Sequence, residues 1–331
     1  MRAYLIRRLL LVIPTFVGIS LITFLVVQLA PGSPIYFKLR QAEAGLASDS
    51  ESEQIIEQTK KLYGLDKPIH VRYALWLTKL FRLDFGNSYK DQQPVRDKIL
   101  KTIPVTLQIN IIAIFLIYLL AVPIGVYSST HQGSPSDKAT TVVLFILYSL
   151  PSFWVAMLLI MFLGNDRYLN WFPIHGLSSF GASAWPWRQW LVDRLWHLVL
   201  PVVCLTYGGL AGLSRYARTG MLEVIRQDYI RTARAYGFSE KVVVFKYAMR
   251  NSLIPIITLL ATLLPGLIGG SVIIETIFSI PGMGRLGFEA VLSRDYPLIM
   301  GVLSISALLT LLGLILSDIL YAVVDPRIKF K

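Results

Sequence analysis

An all-α polytopic membrane protein with six transmembrane helices is the fold class that the sequence predicts. Three observations lead there. The 331 residues are 54% hydrophobic and 16% charged, too apolar for a soluble domain of this size. Six runs carry no Asp, Glu, Lys or Arg: Leu9–Ala30, Ile103–Tyr127, Ala139–Gly164, Leu195–Leu213, Leu253–Ile274 and Tyr296–Ser317. Each is long enough to cross a hydrocarbon layer of about 30 Å at about 1.5 Å per helical residue. Backbone groups in that layer must be satisfied within the segment, so each run should be helical. The alternating ten-residue strands of a membrane barrel are absent.

The elements follow in chain order. Residues 1–30 hold an N-terminus with Arg2, Arg7 and Arg8 and then the first span. Its apolar run is longer than a signal-peptide core and lacks a clean cleavage site, so the span stays. Proline and glycine in Pro31-Gly-Ser-Pro34 end it. Residues 31–102 form a polar segment on the far side of the membrane. In it, Ser52–Leu62 and Ile69–Phe81 show helical spacing on either side of Pro68. This segment is placed to cap a pathway or receive a partner.

A five-helix core covers 103–324, with spans at 103–127, 139–164, 195–213, 253–274 and 296–324. His131–Lys138 is a short turn. Asn165–Arg194 is a loop with tryptophans at 171, 185, 187 and 190, which suit the headgroup level. Gly208 with Gly212, and Gly266 with Gly270, let backbones approach closely within the bundle or against a partner. Pro151, Pro201, Pro255 and Pro265 fall within spans and should bend them. Asp318 lies near the inner end of the last span, positioned to pair with Arg327 in the tail, residues 325–331.

Orientation follows from Lys and Arg in the short loops. With the N-terminus cytoplasmic, the inside segments hold fifteen of them against five in the short outside loops. Both termini are then cytoplasmic. The net charge of +12 sits mainly where anionic lipid or a cytosolic partner would meet it. Nucleic acid is excluded as a partner because no aromatic-basic platform is present.

Chemistry is sparse. No Gly-x-x-x-x-Gly-Lys-[Ser/Thr] loop occurs, so the chain has no P-loop of its own. His70, His131, His175 and His197 lie far apart and suggest no metal site. No nucleophile elbow appears. The one cysteine, Cys204, reads as a small buried residue of the fourth span. No catalytic residue is expected. Gln108, Asn110 and Thr206 are the polar span residues that could line a pathway or hydrogen-bond between helices.

The insert at 218–251 is the most informative stretch. It is polar, basic and helix-forming between two apolar runs, as contact with a soluble engine would require. Gly237 should end one helix and Ser239 should cap the next. Tyr229, Ile230, Ala233, Tyr236 and Gly237 share one helical flank. Basic residues also suit a helix lying on a membrane surface.

Asp228-Tyr-Ile-Arg-Thr-Ala-Arg-Ala-Tyr-Gly-Phe-Ser239 resembles the cytoplasmic "EAA" coupling loop of bacterial ABC importer permeases, and is most similar to the oligopeptide/dipeptide/nickel branch. Leu29–Pro34, Leu83-Asp-Phe-Gly-Asn-Ser88, Ile103–Leu107, Ile277–Arg285 and Asp325–Arg327 resemble other stretches of that family, so the likeness covers essentially the whole chain. The long segment after span one points to the first, B-type permease. There are departures. Arg231 stands where the broad family has Glu, Thr232 where it has its first Ala, and Tyr236 where the branch often has Lys.

The resemblance implies a type I ABC importer permease fold and half of a translocation pathway. It implies a second permease as heterodimer partner, two ABC ATPase subunits or domains, and an extracytoplasmic substrate-binding protein. ATP and magnesium would be bound by the ATPases and no cofactor by this chain. Asp228, Tyr229, Arg231, Thr232, Ala233, Tyr236, Gly237 and Ser239 would form the coupling contact, with the loop around Ala233 and Gly237 in an ATPase cleft. The setting would be a bacterial or archaeal cytoplasmic membrane. The substrate would be a di- or oligopeptide, or else a nickel chelate, glutathione or another small solute. A stand-alone secondary transporter or a membrane scaffold are the competing classes. They would call for internal repeats or central charges, which are not evident.

Overall fold

The computed structural model describes residues 2–29, 67–267 and 269–324. The expected helix at Ser52–Leu62 and the expected partner Arg327 lie outside them. The chain divides into two compact units, one comprising Met1–Leu5, Ile103–Arg285 and Thr310–Lys331, the other Ile6–Thr102 and Leu286–Leu309.

The described residues are almost wholly helical. The helices are α1 (Arg2–Leu29), α2 (Ile69–Phe81), α3 (Val95–Thr130), α4 (Pro135–Ser149), α5 (Ser152–Leu159) and α6 (Trp187–Ile225). They continue with α7 (Asp228–Ala235), α8 (Glu240–Val242), α9 (Met249–Ser252), α10 (Ile254–Leu263), α11 (Val272–Ile277), α12 (Met283–Leu292) and α13 (Tyr296–Val324). Among the described residues, four helices are long and apolar enough to cross a membrane: Arg7–Leu29 within α1, then α3, α6, and Tyr296–Ile319 within α13.

The remaining two expected spans are broken helices rather than single uninterrupted ones. Residues 139–164 are not one helix: α4 and the helix from Ser152 to Gly164 meet at a bend of 98°. The cause is Pro151, which forces Leu150 into an extended conformation (φ −79°, ψ 129°) and cannot donate to the preceding turn. The hydroxyl of Tyr207 donates to the freed Leu150 carbonyl at 2.7 Å, so the break is satisfied inside the protein. Residues 253–274 also fail as an uninterrupted span. They form α10, a 3₁₀ turn at Leu264–Leu267 and the start of α11, which is capped by the Ser271 side chain.

Two further boundaries move. α3 starts at Val95 rather than Ile103. α6 has 39 residues, about 58 Å at 1.5 Å per residue, and runs through Pro201 well past the apolar stretch that ends at Leu213. Arg215 and Arg218 therefore ride on the same rigid rod as the span.

In the first unit, α6 is the central strut. Its Leu198, Leu200, Val202 and Cys204 pack with Ile109 of α3, Ala156 of α5 and Ile274 and Phe278 of the α11 region. Farther along, α3 and α6 touch closely at Gly125, where a Cβ would lie 2.7 Å from the Ser214 carbonyl. Gly209 meets Ile117 in the same way. Gly208, Gly212 and Gly266 have nothing within 4 Å of an added Cβ, so this chain does not use them for its own close helix packing.

In the second unit, Phe24, Val27 and Met300 pack with Tyr73 and Trp76 of α2. Asp295 sits fully buried at the entrance of α13. It accepts from the Leu298 amide at 3.3 Å, and also from the Tyr89 amide at 3.0 Å and the Ser88 hydroxyl. One carboxylate thus caps a long helix and pins the Leu83–Ser88 loop.

Candidate functional site

The basic insert opens where α6 ends at Ile225. α7 begins after Gln227 with Asp228 in its first turn and Arg234 in its last, each favourably placed against the helix dipole. It stops at Gly237, which has φ +80°. The Gly237 amide donates to the Arg234 carbonyl at 2.9 Å and the Phe238 amide to Ala233 at 3.4 Å, the paired bonds of a Schellman cap. Ser239 takes the N-cap position of α8, as expected, but its side chain makes no capping bond there. Instead Arg234 reaches across the turn to Glu240, with Nε 2.7 Å from Oε1 and Nη2 3.3 Å from Oε2.

The faces of α7 separate. Ile230 is 0% and Ala233 6% exposed, packed with Val126 of α3, Met221 of α6, and Val243, Val244 and Ala248. The expected common flank is therefore corrected: Ile230 and Ala233 anchor the helix to its own chain. A larger residue at 233 would collide with that core, which is why a small one stands there. Tyr229, Arg231, Thr232, Gly237 and Ser239 face solvent, with Tyr236 79% exposed. Asp228 is exposed too, 3.5 Å from Arg231, a contact of little energetic weight. Thr232 returns its hydroxyl to the Asp228 carbonyl at 3.0 Å, and Tyr229 accepts from Asn251 at 2.8 Å. The result is a short amphipathic helix, fixed on one side and presented on the other.

The base under it is rigid. Asp137, 3% exposed at the start of α4, accepts Arg218 Nε at 3.1 Å on Oδ1 and Nη2 at 2.9 Å on Oδ2. The Ser128 hydroxyl and the Gly133 amide, at 3.0 Å, complete its shell. Arg218 and these neutral donors hold the Asp137 carboxyl down at about 2. α3, α4 and α6 are thereby tied at the end from which α7 hangs. A cavity of about 650 Å³ opens alongside, between Val122, Tyr127 and His131 on one wall and Lys241, Val244 and Phe245 on the other.

The polar span residues go to neighbours. Gln108 Oε1 accepts Arg194 Nε at 3.0 Å and Nη2 at 2.7 Å. Asn110 donates to the Leu267 carbonyl at 2.6 Å. Thr206 is buried and bonds back to Val202 at 2.6 Å within α6. Helix-to-helix bonding accounts for the first two and local bonding for the third.

One constellation escapes a linear reading. Glu275 is 4% exposed. It accepts from the Thr106 hydroxyl at 3.1 Å and the Arg285 amide at 2.8 Å. Burial pushes its carboxyl above the usual range, and these two donors with the amides of Ser271 and Gly284 only partly offset that. An added Cβ at Gly270 would come within 2.5 Å of Oε1, and one at Gly282 within 2.6 Å of Oε2. The glycines of the Ile277–Arg285 stretch thus make room for a carboxylate that its spacing gave no reason to single out.

A helical bundle with several apolar spans that carries a fixed, outward-presented amphipathic helix defines a multi-span membrane component. The chain belongs to the binding-protein-dependent transport system inner membrane component family. That family's model matches residues 121–330, and its N-terminal companion, the binding-protein-dependent transport system membrane component N-terminal model, matches 1–110. The chain is 40% identical over 331 residues to the oligopeptide transport system permease protein AppB of Bacillus subtilis (strain 168), covering 100% of each. It is 37% identical over 362 residues to the inner membrane ABC transporter permease protein YejB of Escherichia coli O157:H7, again covering 100% of each. The dipeptide transport system permease protein DppB of Escherichia coli (strain K12) is 33% identical over 350 residues, with the same coverage.

Proposed function

We propose that this chain is the non-catalytic B-type permease subunit of an ATP-driven importer for di- or oligopeptides. Full-length relatives named for oligopeptide and dipeptide transport support the substrate class. The observation that carries the mechanism is the division of α7: Ile230 and Ala233 bind it to its own bundle, while Tyr229, Arg231, Thr232, Tyr236 and Gly237 are left outward.

In this reading both termini and α7 are cytoplasmic, and two ABC ATPases hold the outward face of α7 in their clefts. ATP and magnesium belong to those subunits. Closure of the ATPase pair pushes α7. The push passes through Met221 and Val126 into α6 and α3, which Asp137 of α4 makes move together by holding both Arg218 of α6 and Ser128 of α3. A second permease completes the pathway, and an extracytoplasmic binding protein delivers peptide. ATP binding then biases a two-state pathway.

Purification of the tagged chain from its native host in mild detergent, followed by mass spectrometry, tests the assembly. A second permease and P-loop ATPases in fixed ratio are expected. Recovery of this chain alone, from a preparation that keeps other membrane complexes intact, would favour a stand-alone protein.

A further inference from the structure

The Gly270–Arg285 stretch is built around a single carboxylate. Glu275 stands on α11, whose apolar side, through Ile274 with Phe278 and Ile280 beyond it, packs on α3, α5 and α6. Its polar side carries the carboxylate into a pocket of backbone amides closed by Thr106 of α3. Thr106 is itself clamped, because its hydroxyl oxygen accepts the Met283 amide at 2.8 Å while donating to Glu275. The hydroxyl therefore joins α3 to both ends of the loop at once.

Fold stability alone does not call for a charge here. Burying a carboxylate is costly, and an apolar side chain would fill the space without that cost. The close approaches at Gly270, Gly282 and Gly284 leave the loop no room to slide by degrees. The carboxylate stays with all its donors or leaves them together. Once released it can be hydrated, so the open state carries no stranded charge. These are the properties of a two-position element.

We propose that Glu275 is a positioning residue for transport, a latch that fixes the Gly270–Arg285 loop to the start of the α3 span and holds the outer end of the pathway shut until the ATPases act. This rests on the importer reading above, which puts that end of α3 on the extracytoplasmic side. Glu275→Ala strands buried amides, and Thr106→Val cuts the α3 side while leaving the carboxylate in place. Each lost bond weakens the latched state by about tenfold. Glu275→Gln keeps an acceptor oxygen for the Arg285 amide and should restore part of the function.

The test uses the complete complex, reconstituted with its binding protein and peptide. The readouts are peptide uptake, ATP hydrolysis with and without loaded binding protein, and amide hydrogen exchange over 270–285. The latch predicts faster exchange in Glu275→Ala and Thr106→Val. It also predicts raised unstimulated hydrolysis, lost stimulation by the binding protein and uptake reduced by at least about tenfold. Glu275→Gln should lie between them and the unmodified complex.

If Glu275→Ala does not assemble, Thr106→Val decides alone. Unchanged exchange, or stimulation and uptake within about twofold of the unmodified complex, would overturn the latch. If the unmodified complex shows no ATP-dependent peptide uptake, the importer reading fails instead, and the exchange comparison still decides whether Glu275 holds the loop.

Discussion

Replacing Asp137 by alanine removes the acceptor for two Arg218 donors, the Ser128 hydroxyl and the Gly133 amide. Breaking a buried ion pair from one side costs about 3–5 kcal/mol. The Arg218 side chain is 31% exposed and can recover some hydration, so the lower end, about 3 kcal/mol, is expected. For 331 residues that corresponds to a melting temperature lower by about 4 °C. Asp137→Asn, which keeps one acceptor oxygen, should lose about half as much. Cys204 is buried and supplies the assay: a thiol-reactive dye reports its exposure on heating.

The double variant Asp137→Ala/Arg218→Ala should be less damaged than the sum of the singles by about 1–3 kcal/mol. The pH dependence has a definite sign. Asp137 is depressed from 3.8 to about 2, so its contribution is complete above its unfolded value and is lost only as pH falls through about 2. The gap between native and Asp137→Ala melting should therefore be constant from about pH 5 to 8. A shift below about 1 °C, or additive singles, would refute the claim that this pair holds the base together.

Three further outcomes are expected. Gly237 has φ +80° and open space around an added Cβ, so Gly237→Asn, which tolerates that conformation, should keep most uptake. Gly237→Glu should abolish uptake while the chain still inserts, and normal uptake would remove the coupling role of this turn. Ala233→Leu overpacks the core beneath α7 and should cost about 1–3 kcal/mol; it should lower the melting temperature and the yield of co-purified ATPase together. Asp295→Ala removes the acceptor for Ser88, Tyr89 and Leu298, so proteolysis between Leu83 and Pro94 should quicken while α7 keeps its protection.

Much of this molecule is legible along the chain because apolar run length and helical period are local. The runs behind α1, α3, α6 and α13 became long helices, the spacing at Ile69–Phe81 became α2, and Gly237 became a helix stop. Run length does not reveal where a helix breaks. Pro151 turns the chain by 98°, while Pro201 sits inside an unbroken α6. The difference is local to Leu150, which goes extended and finds Tyr207 for its carbonyl.

The period of α7 placed its residues on faces but could not say which face its own bundle would cover, so Ala233 read as a contact for a partner. Carboxylates were the larger loss. Glu275 meets Thr106 across 169 positions, Asp137 meets Arg218 across 81, and Asp295 meets Ser88 across 207. No local pattern marks a side chain whose partner is that distant. The one usable sign was a cluster of glycines near 282, small because a carboxylate occupies the space a side chain would need.

The central claim is that the outward face of α7 meets the ATPase. Cysteine placed at Tyr236, 79% exposed, with Ala233→Cys as the inward control at 6%, tests it by thiol crosslinking in native membranes. Buried Cys204 leaves little background. The account predicts an adduct between position 236 and a P-loop ATPase subunit, with none from 233. An adduct from 233 but not 236, or none from either in membranes where the complex is intact, would contradict it.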